Sequence, residues 1–322
     1  MKTKIFSTCC LLFLGMSLFA AKQKPISIEN NQVKAVFLPD VGGRMVYFAP
    51  IGGENFLYSD STLWNEPETE RIKPSADAKF KPYNGFITWV GPQSEWWTHQ
   101  NLMPHKKERA DVWPPDPYLI YSTCEIIEKT DTSISLEIKC SPISGISLIK
   151  KFTLNDNKLI IEVTGKNCRE TSISWDLWSN ARFDAFTPFK VPANDESIQK
   201  IQTEENKFKE ITRHKIEGGY FTFIPELPND KNKQRISKAF IYPLRGELLV
   251  EKKNHQLKIE FEKVPKENIH PEQALVEVYN CVSASGITNI LELEHHSAYQ
   301  TLKPNEEIKL VETWSIIPIE TN

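Results

Sequence analysis

Two carboxylates and an imidazole alternate near the C-terminus, in the run that ends at His296. If this run is a β-strand, Glu292, Glu294 and His296 point to one face at steps of about 6.8 Å, because side chains alternate along a strand. A carboxylate there can take a proton from a hydroxyl group while an imidazole gives one to another oxygen. The pattern therefore predicts acid and base chemistry. The alternative is a solvated outer face, where charged residues mostly lie.

Aromatic side chains cluster between positions 89 and 113, where half of the eight tryptophans lie. Sugars present flat C–H faces that pack on aromatic rings, and polar side chains such as Gln93 and His99 can bind their hydroxyl groups. Trp96 and Trp97 are adjacent, so an extended chain directs them to opposite sides and they cannot both fill one core. The segment predicts a sugar-binding surface, and the alternative is that these rings pack a β core. The tryptophans concerned are Trp89, Trp96, Trp97 and Trp113.

Two further segments place polar side chains where a ligand can bind. The glycine turn before Arg44 puts this guanidinium at the start of a strand, where it can pair with a carboxylate or contact substrate oxygens. A second run combines a tryptophan with polar residues on one strand face, an arrangement more typical of a ligand-binding sheet than of a core. The residues of that face are Asp176, Trp178, Asn180 and Arg182.

The elements that must position these side chains are β-strands. Apolar and polar residues alternate with a period of two over most of the chain, which predicts antiparallel strands, and helical patterning is weak and limited to 195–212. Many such runs without a linker predict one all-β domain over residues 22–322, a large antiparallel sandwich of two sheets. Two polar, proline-bearing segments, Ser59–Pro82 and Thr98–Pro117, are expected to be long loops that build a binding surface.

The N-terminus has the order of an export signal. Lys2 and Lys4 precede an apolar run, and the small residues Ala20 and Ala21 follow it. This order predicts a signal peptide over residues 1–21 and a periplasmic or secreted protein, with an uncleaved N-terminal anchor as the alternative. No later segment has the roughly 20 apolar residues that a membrane-spanning helix needs, so we expect no membrane contact after cleavage.

The charge is nearly balanced, with 39 Lys+Arg against 42 Asp+Glu, which argues against a nucleic-acid partner. No metal is predicted, since no His or Cys cluster has ligand spacing, and no cofactor is predicted, since no nucleotide-binding glycine motif is present. We expect a monomer. The mature chain would keep four cysteines, for which buried free thiols are the simplest interpretation, and the hairpin expected around Thr130 disfavours a Cys124–Cys140 bridge. The other two cysteines are Cys168 and Cys281.

Both ends of the chain resemble the galactose mutarotase-like, or aldose 1-epimerase-like, superfamily. The resemblance lies in the run from Val36 to Tyr47 with Gly53-Glu-Asn-Phe-Leu57, and near the C-terminus in Ile290-Leu-Glu-Leu-Glu294 with Val311-Glu-Thr-Trp314. The run Trp89-Val-Gly-Pro-Gln-Ser-Glu-Trp96 is more similar to the DUF4380 branch. The resemblance implies a β-supersandwich with a sugar cleft on the concave face of one sheet.

In true mutarotases a Glu near the last strands removes the proton of the anomeric hydroxyl group and a His protonates the ring oxygen. The resemblance implies Glu294 or Glu292 as the base, but the family's histidines are replaced, one of them by Trp89 of Trp89-Val-Gly91. The acid would then be His99 or His296. The expected function is that of an exported carbohydrate-active protein, with epimerisation or mutarotation as the chemistry. The alternative is a carbohydrate-binding protein without catalysis that uses the same cleft.

Overall fold

The structure is a computed structural model that describes residues 24–203, 205–207, 209–286 and 288–319. The signal peptide predicted over residues 1–21 lies outside the described residues, and its cleavage stays a prediction. Within the described ranges, no helix is both long and apolar enough to cross a membrane.

Strands dominate the fold. In chain order they are β1 Ile26–Glu29, β2 Val33–Leu38, β3 Arg44–Pro50, β4 Phe86–Gly91, β5 Glu125–Lys129, β6 Ser133–Ile138, β7 Ile146–Asn155, β8 Lys158–Asn167, β9 Ile173–Asp184, β10 Phe189–Pro192, β11 Ile198–Thr203, β12 Lys209–Glu210, β13 Arg213–Glu217, β14 Tyr220–Ile224, β15 Gln234–Ile241, β16 Glu247–Lys252, β17 His255–Glu260, β18 Val276–Ser283, β19 Asn289–His296, β20 Gln300–Leu302 and β21 Glu307–Pro318. Two short helices, α1 Pro104–Glu108 and α2 Pro117–Tyr121, interrupt them. Four 3₁₀ turns cover Ser61–Leu63, Gln93–Glu95, Asp195–Ser197 and Lys266–Asn268.

The strands form two large sheets, which confirms the predicted all-β sandwich. The first sheet runs β1-β2-β3-β4-β9-β19-β18-β15-β11, with β12 beside β15 and β20 beside β9. The second runs β13-β14-β10-β16-β17-β21-β8-β7-β6-β5. The weak helical prediction for 195–212 is wrong: a 3₁₀ turn and the strands β11 and β12 lie there, because pairing with β15 satisfies their backbone groups.

The core lies between the two sheets and takes every second residue of their strands. Trp314 of β21 packs edge-on against Phe48 and Phe86 of the first sheet, with ring centroids 6.0 and 5.3 Å apart. In β7 buried and more exposed residues alternate, so this strand covers the core with one face. In contrast, β9 is buried over almost its whole length, which means that both of its faces are covered. One face meets the second sheet, and the other lies beneath the loops that follow β4.

Strand register brings the two ends of the chain together at β9. The N-terminal strand β4 pairs with one side of β9 and the C-terminal strand β19 with the other. Glu294 of β19 lies opposite Asn180 of β9 and opposite Glu277 of β18. The polar residues that sequence alternation assigns to single strand faces therefore become neighbours across three strands.

The four cysteines of the predicted mature chain do not all stay free. Cys140 and Cys168 form a disulfide with Cα atoms 6.2 Å apart, whereas Cys124 and Cys281 are buried thiols. The prediction of free thiols is therefore wrong for the first pair and confirmed for the second. The Cys124–Cys140 bridge is absent, as expected, because the β5–β6 hairpin sets Glu125 opposite Glu137 and draws the chain around Cys140 away from Cys124.

Candidate functional site

A cavity of about 710 Å³ opens on the face of the first sheet that points away from the core. Its floor consists of side chains from β9, β19, β18 and β15, and the turn after β4 and the loop around Trp113 form its wall. Side chains that alternate with the floor residues, such as Leu291 and Leu293, are buried in the core instead. A cavity of this volume suits a small ligand.

Three indole rings form the aromatic wall. The ring centroid of Trp89 lies 5.2 Å from that of Trp178 and 5.6 Å from that of Trp96. The centroids of Trp96 and Trp178 are 5.7 Å apart. Trp96 is held in place because its Nε1 donates to the carbonyl of Val90, at 2.5 Å. Trp113 extends this wall toward solvent and is 47% exposed. The wall is therefore a rigid apolar surface with one accessible ring at its edge.

The adjacent tryptophans serve different surfaces, as predicted, but the chain at this point is a 3₁₀ helix followed by a turn and not the extended segment on which the prediction rested. Trp96 lines the cavity, whereas Trp97 is fully buried on another side. The Nε1 of Trp97 donates to the carbonyl of Pro114, and the ammonium of Lys106 lies 3.5 Å from its ring centroid. Gln93 also has a bracing contact, because its amide donates to the carbonyl of Val112. The hydrogen bonds donated by Trp97 and Gln93 both hold the loop that carries Trp113, since their acceptors are Pro114 and Val112.

Glu294 belongs to a buried charged cluster on the floor. One carboxylate oxygen accepts a hydrogen bond of 2.9 Å from Asn180, and the other lies 2.9 Å from the ammonium of Lys238. Lys238 also contacts Glu277 at 2.6 Å, so one cation serves two carboxylates. Burial raises the pKa of Glu294 well above its usual value, while the two carboxylates raise the pKa of Lys238.

Glu292 lies in the same cavity but has a different partner. Its carboxylate forms a 2.8 Å ion pair with Arg182, whose other nitrogens donate to the side-chain oxygens of Asn180 and Asn84. The guanidinium of Arg182 also lies over the ring of Trp89. Both Glu292 and Glu294 therefore face the cavity, and their environments differ: one is held by a guanidinium and the other shares an ammonium.

Neither histidine predicted as an acid lines the cavity. His99 is 42% exposed and pairs with Glu95, and its ring stands against Trp175 outside the cavity. His296 is fully buried behind the floor, packed on Trp178 with ring centroids 4.9 Å apart. A ligand in the cavity would meet Trp178 before it could reach His296, and the path to His99 is longer still.

Three of the predicted binding residues lie behind the cavity rather than in it. Arg44 is 1% exposed and donates to the backbone carbonyl of Asn84, and burial lowers its pKa to about 9. The same Asn84 binds Arg182 through its side chain, so Arg44 supports the position of a cavity residue. Asn180 is buried and holds Glu294, while Asp176 is buried beside His296. These three side chains position others and do not line the cavity surface.

Several floor residues could not be predicted, because the place of their strands in the sheet is not local information. Among them are Lys238 of β15 and Glu277 and Tyr279 of β18, and Gln273 joins them from the loop before β18. The alternation within β15 carried a usable signal, since Ile236, Lys238 and Phe240 all point to the cavity. Glu277, Glu294 and His296 also bring ligand atoms within 4.8 Å of one another, a spacing that can hold a metal ion.

The fold, two extended sheets packed as a sandwich with a cleft on the outer face of one of them, is that of galactose mutarotase-like proteins. The chain belongs to the DUF4380 family, a domain of unknown function, whose model matches residues 23–317. No significant match exists among the curated protein sequences.

Solved structures share this fold but little sequence. A protein of Escherichia coli K12 described as a proposed aldose 1-epimerase has a TM-score of 0.57 at 11% identity, covering 92% of this chain and 100% of that one. A galactose mutarotase-like protein of Lactobacillus casei has a TM-score of 0.54 at 11% identity, covering 91% and 100%. A TPR-domain containing protein of Parabacteroides distasonis has a TM-score of 0.55 at 14% identity, covering 93% of this chain and 48% of its own. At such low identities the likeness defines the fold alone.

Proposed function

We propose that the protein binds a sugar or the end of an oligosaccharide in the cavity on the first sheet. The observation that carries this proposal is the meeting of two kinds of surface in one cavity: indole rings on one wall and carboxylates on the floor. Indoles pack on the C–H faces of a sugar ring, and carboxylates with paired cations bind its hydroxyl groups. The partner is then a neutral saccharide, since the lining carries basic and acidic side chains in equal number.

Epimerisation or mutarotation is the second candidate, and the different environments of Glu292 and Glu294 favour it. Catalysed ring opening needs a base for the anomeric hydroxyl and an acid for the ring oxygen. Because neither His99 nor His296 lines the cavity, both roles fall to the carboxylates. Glu292, ion-paired with Arg182, is the base, and Glu294, with its raised pKa, is the acid.

Export belongs to the same proposal. Residues 1–21 have the order of a signal peptide, and the Cys140–Cys168 disulfide suits an oxidising compartment outside the cytoplasm. The sugar ligand would then be met in the periplasm or outside the cell. N-terminal sequencing of the protein from a membrane-free extract tests this part, and an intact Met1 there would contradict it.

Calorimetric titration with a panel of monosaccharides and oligosaccharides tests sugar binding. Trp113→Ala removes the accessible ring at the cavity edge, and we expect affinity to fall about tenfold, the loss of one stacking contact. Phe186→Ala is the matched control, because Phe186 is 43% exposed and lies outside the cavity lining. Equal loss in both variants, or no binding by the unaltered protein, would refute the proposal.

Polarimetry separates catalysis from binding. If the second candidate holds, Glu294→Gln should abolish the catalysed interconversion of anomers while leaving sugar affinity within about threefold, because the amide keeps the shape but neither gives nor takes the proton. If the protein binds sugar but does not change the rate at which anomers interconvert, the catalytic candidate is refuted and only the binding function remains.

A further inference from the structure

A second cluster of buried groups lies beneath the cavity and shares Glu277 and Glu294 with its floor. It joins His296 at the end of β19 to Asp176 of β9, Gln273 and Glu277. His296 and Asp176 are fully buried, and Glu277 is 1% exposed. The cluster touches the cavity through Glu277 and Glu294, which line its floor.

Several polar atoms in this cluster make no hydrogen bond within the described part of the chain. They are Nε2 of His296, Oδ2 of Asp176, Oε1 of Gln273 and Oε2 of Glu294. Two of these atoms have charged neighbours: the Glu294 oxygen lies 2.9 Å from the ammonium of Lys238, and Nε2 of His296 lies 3.5 Å from a carboxylate oxygen of Glu277. Buried polar atoms without partners are rare in folded proteins because each one loses its hydration, so such a group of them calls for a ligand.

The imidazole of His296 is oriented as a metal ligand. Its Nδ1 faces the side-chain amide of Gln273 at 2.9 Å and the carboxylate of Asp176 at 3.5 Å. The amide atom of Gln273 at this distance is its nitrogen, so the acceptor oxygen next to Nδ1 is that of Asp176. In the tautomer that donates Nδ1–H to Asp176, the lone pair of Nε2 is directed toward Glu277. That nitrogen lies 3.5 Å from Oε1 of Glu277. Two ligand atoms bound to one ion in tetrahedral geometry are separated by roughly this distance, since each lies about 2.0–2.2 Å from the metal.

Formal charge favours a divalent cation. Asp176, Glu277 and Glu294 carry three negative charges when ionised, and Lys238 is the cation that contacts two of them. Two negative charges then remain in a buried site, and one divalent ion next to a neutral imidazole cancels them. One imidazole nitrogen and two carboxylate oxygens suit a zinc-like transition metal better than Mg²⁺, which prefers oxygen ligands alone.

We propose that Glu277, Glu294 and His296 bind a divalent transition-metal ion at the floor of the cavity. Lys238 competes for this site, because its ammonium contacts Oε2 of both Glu277 and Glu294. Oε1 of Glu277 and Nε2 of His296 are free of that contact, although Oε1 also accepts a 3.2 Å hydrogen bond from the N–H of Ala274. Metal entry therefore requires that Glu294 exchange the ammonium for the ion. The ion would face the cavity through Glu294, and its binding does not depend on the proposed sugar function.

Titration of the EDTA-treated protein with Zn²⁺ and Co²⁺ tests the site. We expect one ion per chain and, for Co²⁺, visible absorption bands from ligand-field transitions. His296→Gln and Glu277→Gln should each weaken binding by at least about tenfold. His105→Gln is the matched control, since His105 is exposed outside the cluster, and it should bind as the unaltered protein does. Absence of stoichiometric binding, or binding that survives His296→Gln, would overturn the proposal.

Lys238→Met supplies a test that misfolding cannot mimic. If the ammonium competes with the metal, its removal should tighten Zn²⁺ binding about tenfold or more, because two carboxylates lose their cation. Weaker or unchanged binding would show that the metal does not compete with Lys238 for these carboxylates, and it would overturn the proposed site. Sugar titration of the metal-free protein keeps the two proposals apart, since loss of either function leaves the other measurable.

Discussion

Two buried polar clusters lie on opposite faces of β9 and β19, and they differ in how their atoms are partnered. On the core side, Glu312 of β21 accepts hydrogen bonds from Ser179 and Trp314 and contacts Nδ1 of His295. On the cavity side, Asp176, Gln273 and His296 each keep a polar atom without a hydrogen bond among the described residues. His295 keeps one as well, at Nε2, where its ring stacks on Phe261.

This difference in hydrogen bonding separates buried polar groups that stabilise the fold from buried polar groups that can bind a ligand. Both oxygens of the Glu312 carboxylate are satisfied from within the chain, so this group links the two sheets as part of the core. The cavity-side groups are satisfied only in part from within the chain, because each keeps one polar atom without a hydrogen bond among the described residues, and a ligand can supply that bond. Burial alone does not distinguish the two clusters, because all of these side chains are at most 7% exposed.

The largest expected effect is on the core side. Glu312→Ala leaves Ser179, His295 and the indole of Trp314 buried without their acceptor, so we expect unfolding free energy to fall by about 3–5 kcal/mol. Urea unfolding followed by tryptophan fluorescence measures this loss. Glu307→Ala on the same strand is the control, because Glu307 is exposed, and it should change stability by less than about 0.5 kcal/mol. Similar losses in both variants would break the comparison.

A smaller effect concerns the pH dependence of stability on the cavity side. Burial raises the pKa of Glu294 in the folded protein, so the unfolded chain releases this proton at lower pH than the folded protein. Stability should therefore fall as pH rises from about 4.5 toward the raised value, by at most about 1.4 kcal/mol per pH unit. Glu294→Gln should remove this fall, and urea unfolding between pH 4.5 and 8 measures the difference.

The control for this pH dependence is Glu162→Gln, because Glu162 is an exposed residue of β8. Its variant should follow the pH profile of the unaltered protein. If the unaltered protein instead gains stability over Glu294→Gln with rising pH, the ammonium of Lys238 outweighs burial and Glu294 is ionised throughout. The acid role of Glu294 would then be lost, while sugar binding could still be measured.

The smallest expected effect sharpens the assignment of the cavity wall. Trp113 is 47% exposed and contacts Phe80 and Trp96 at centroid distances of 4.9 and 6.4 Å. Trp113→Ala should lower the unfolding free energy by only about 2 kcal/mol, because about half of the ring is already in water. Thermal unfolding measures this change. A loss as large as that of Glu312→Ala would mean that the ring braces the fold and is not held ready for a ligand.

The sequence by itself determined which side chains share a face of a β-strand, through the local alternation of polar and apolar residues. The period of two in the run to His296 placed Glu292 and Glu294 on one face, and both line the cavity. The same rule put Trp178 and Arg182 on one face of β9, and both line it too. Such predictions hold because side-chain direction along a strand is fixed by backbone geometry over two residues, whatever the rest of the chain does.

Only the tertiary structure decided which faces are neighbours and how deeply each group is buried. Lys238 reaches Glu294 because β15 and β19 flank β18, an order of strands that no local pattern encodes. Arg44 and His296 looked like ligand-contacting residues in the sequence, yet both are buried behind the cavity. Polarity and spacing are properties of the chain, whereas burial and charge pairing depend on contacts between residues far apart in sequence, which form only when the sheets assemble.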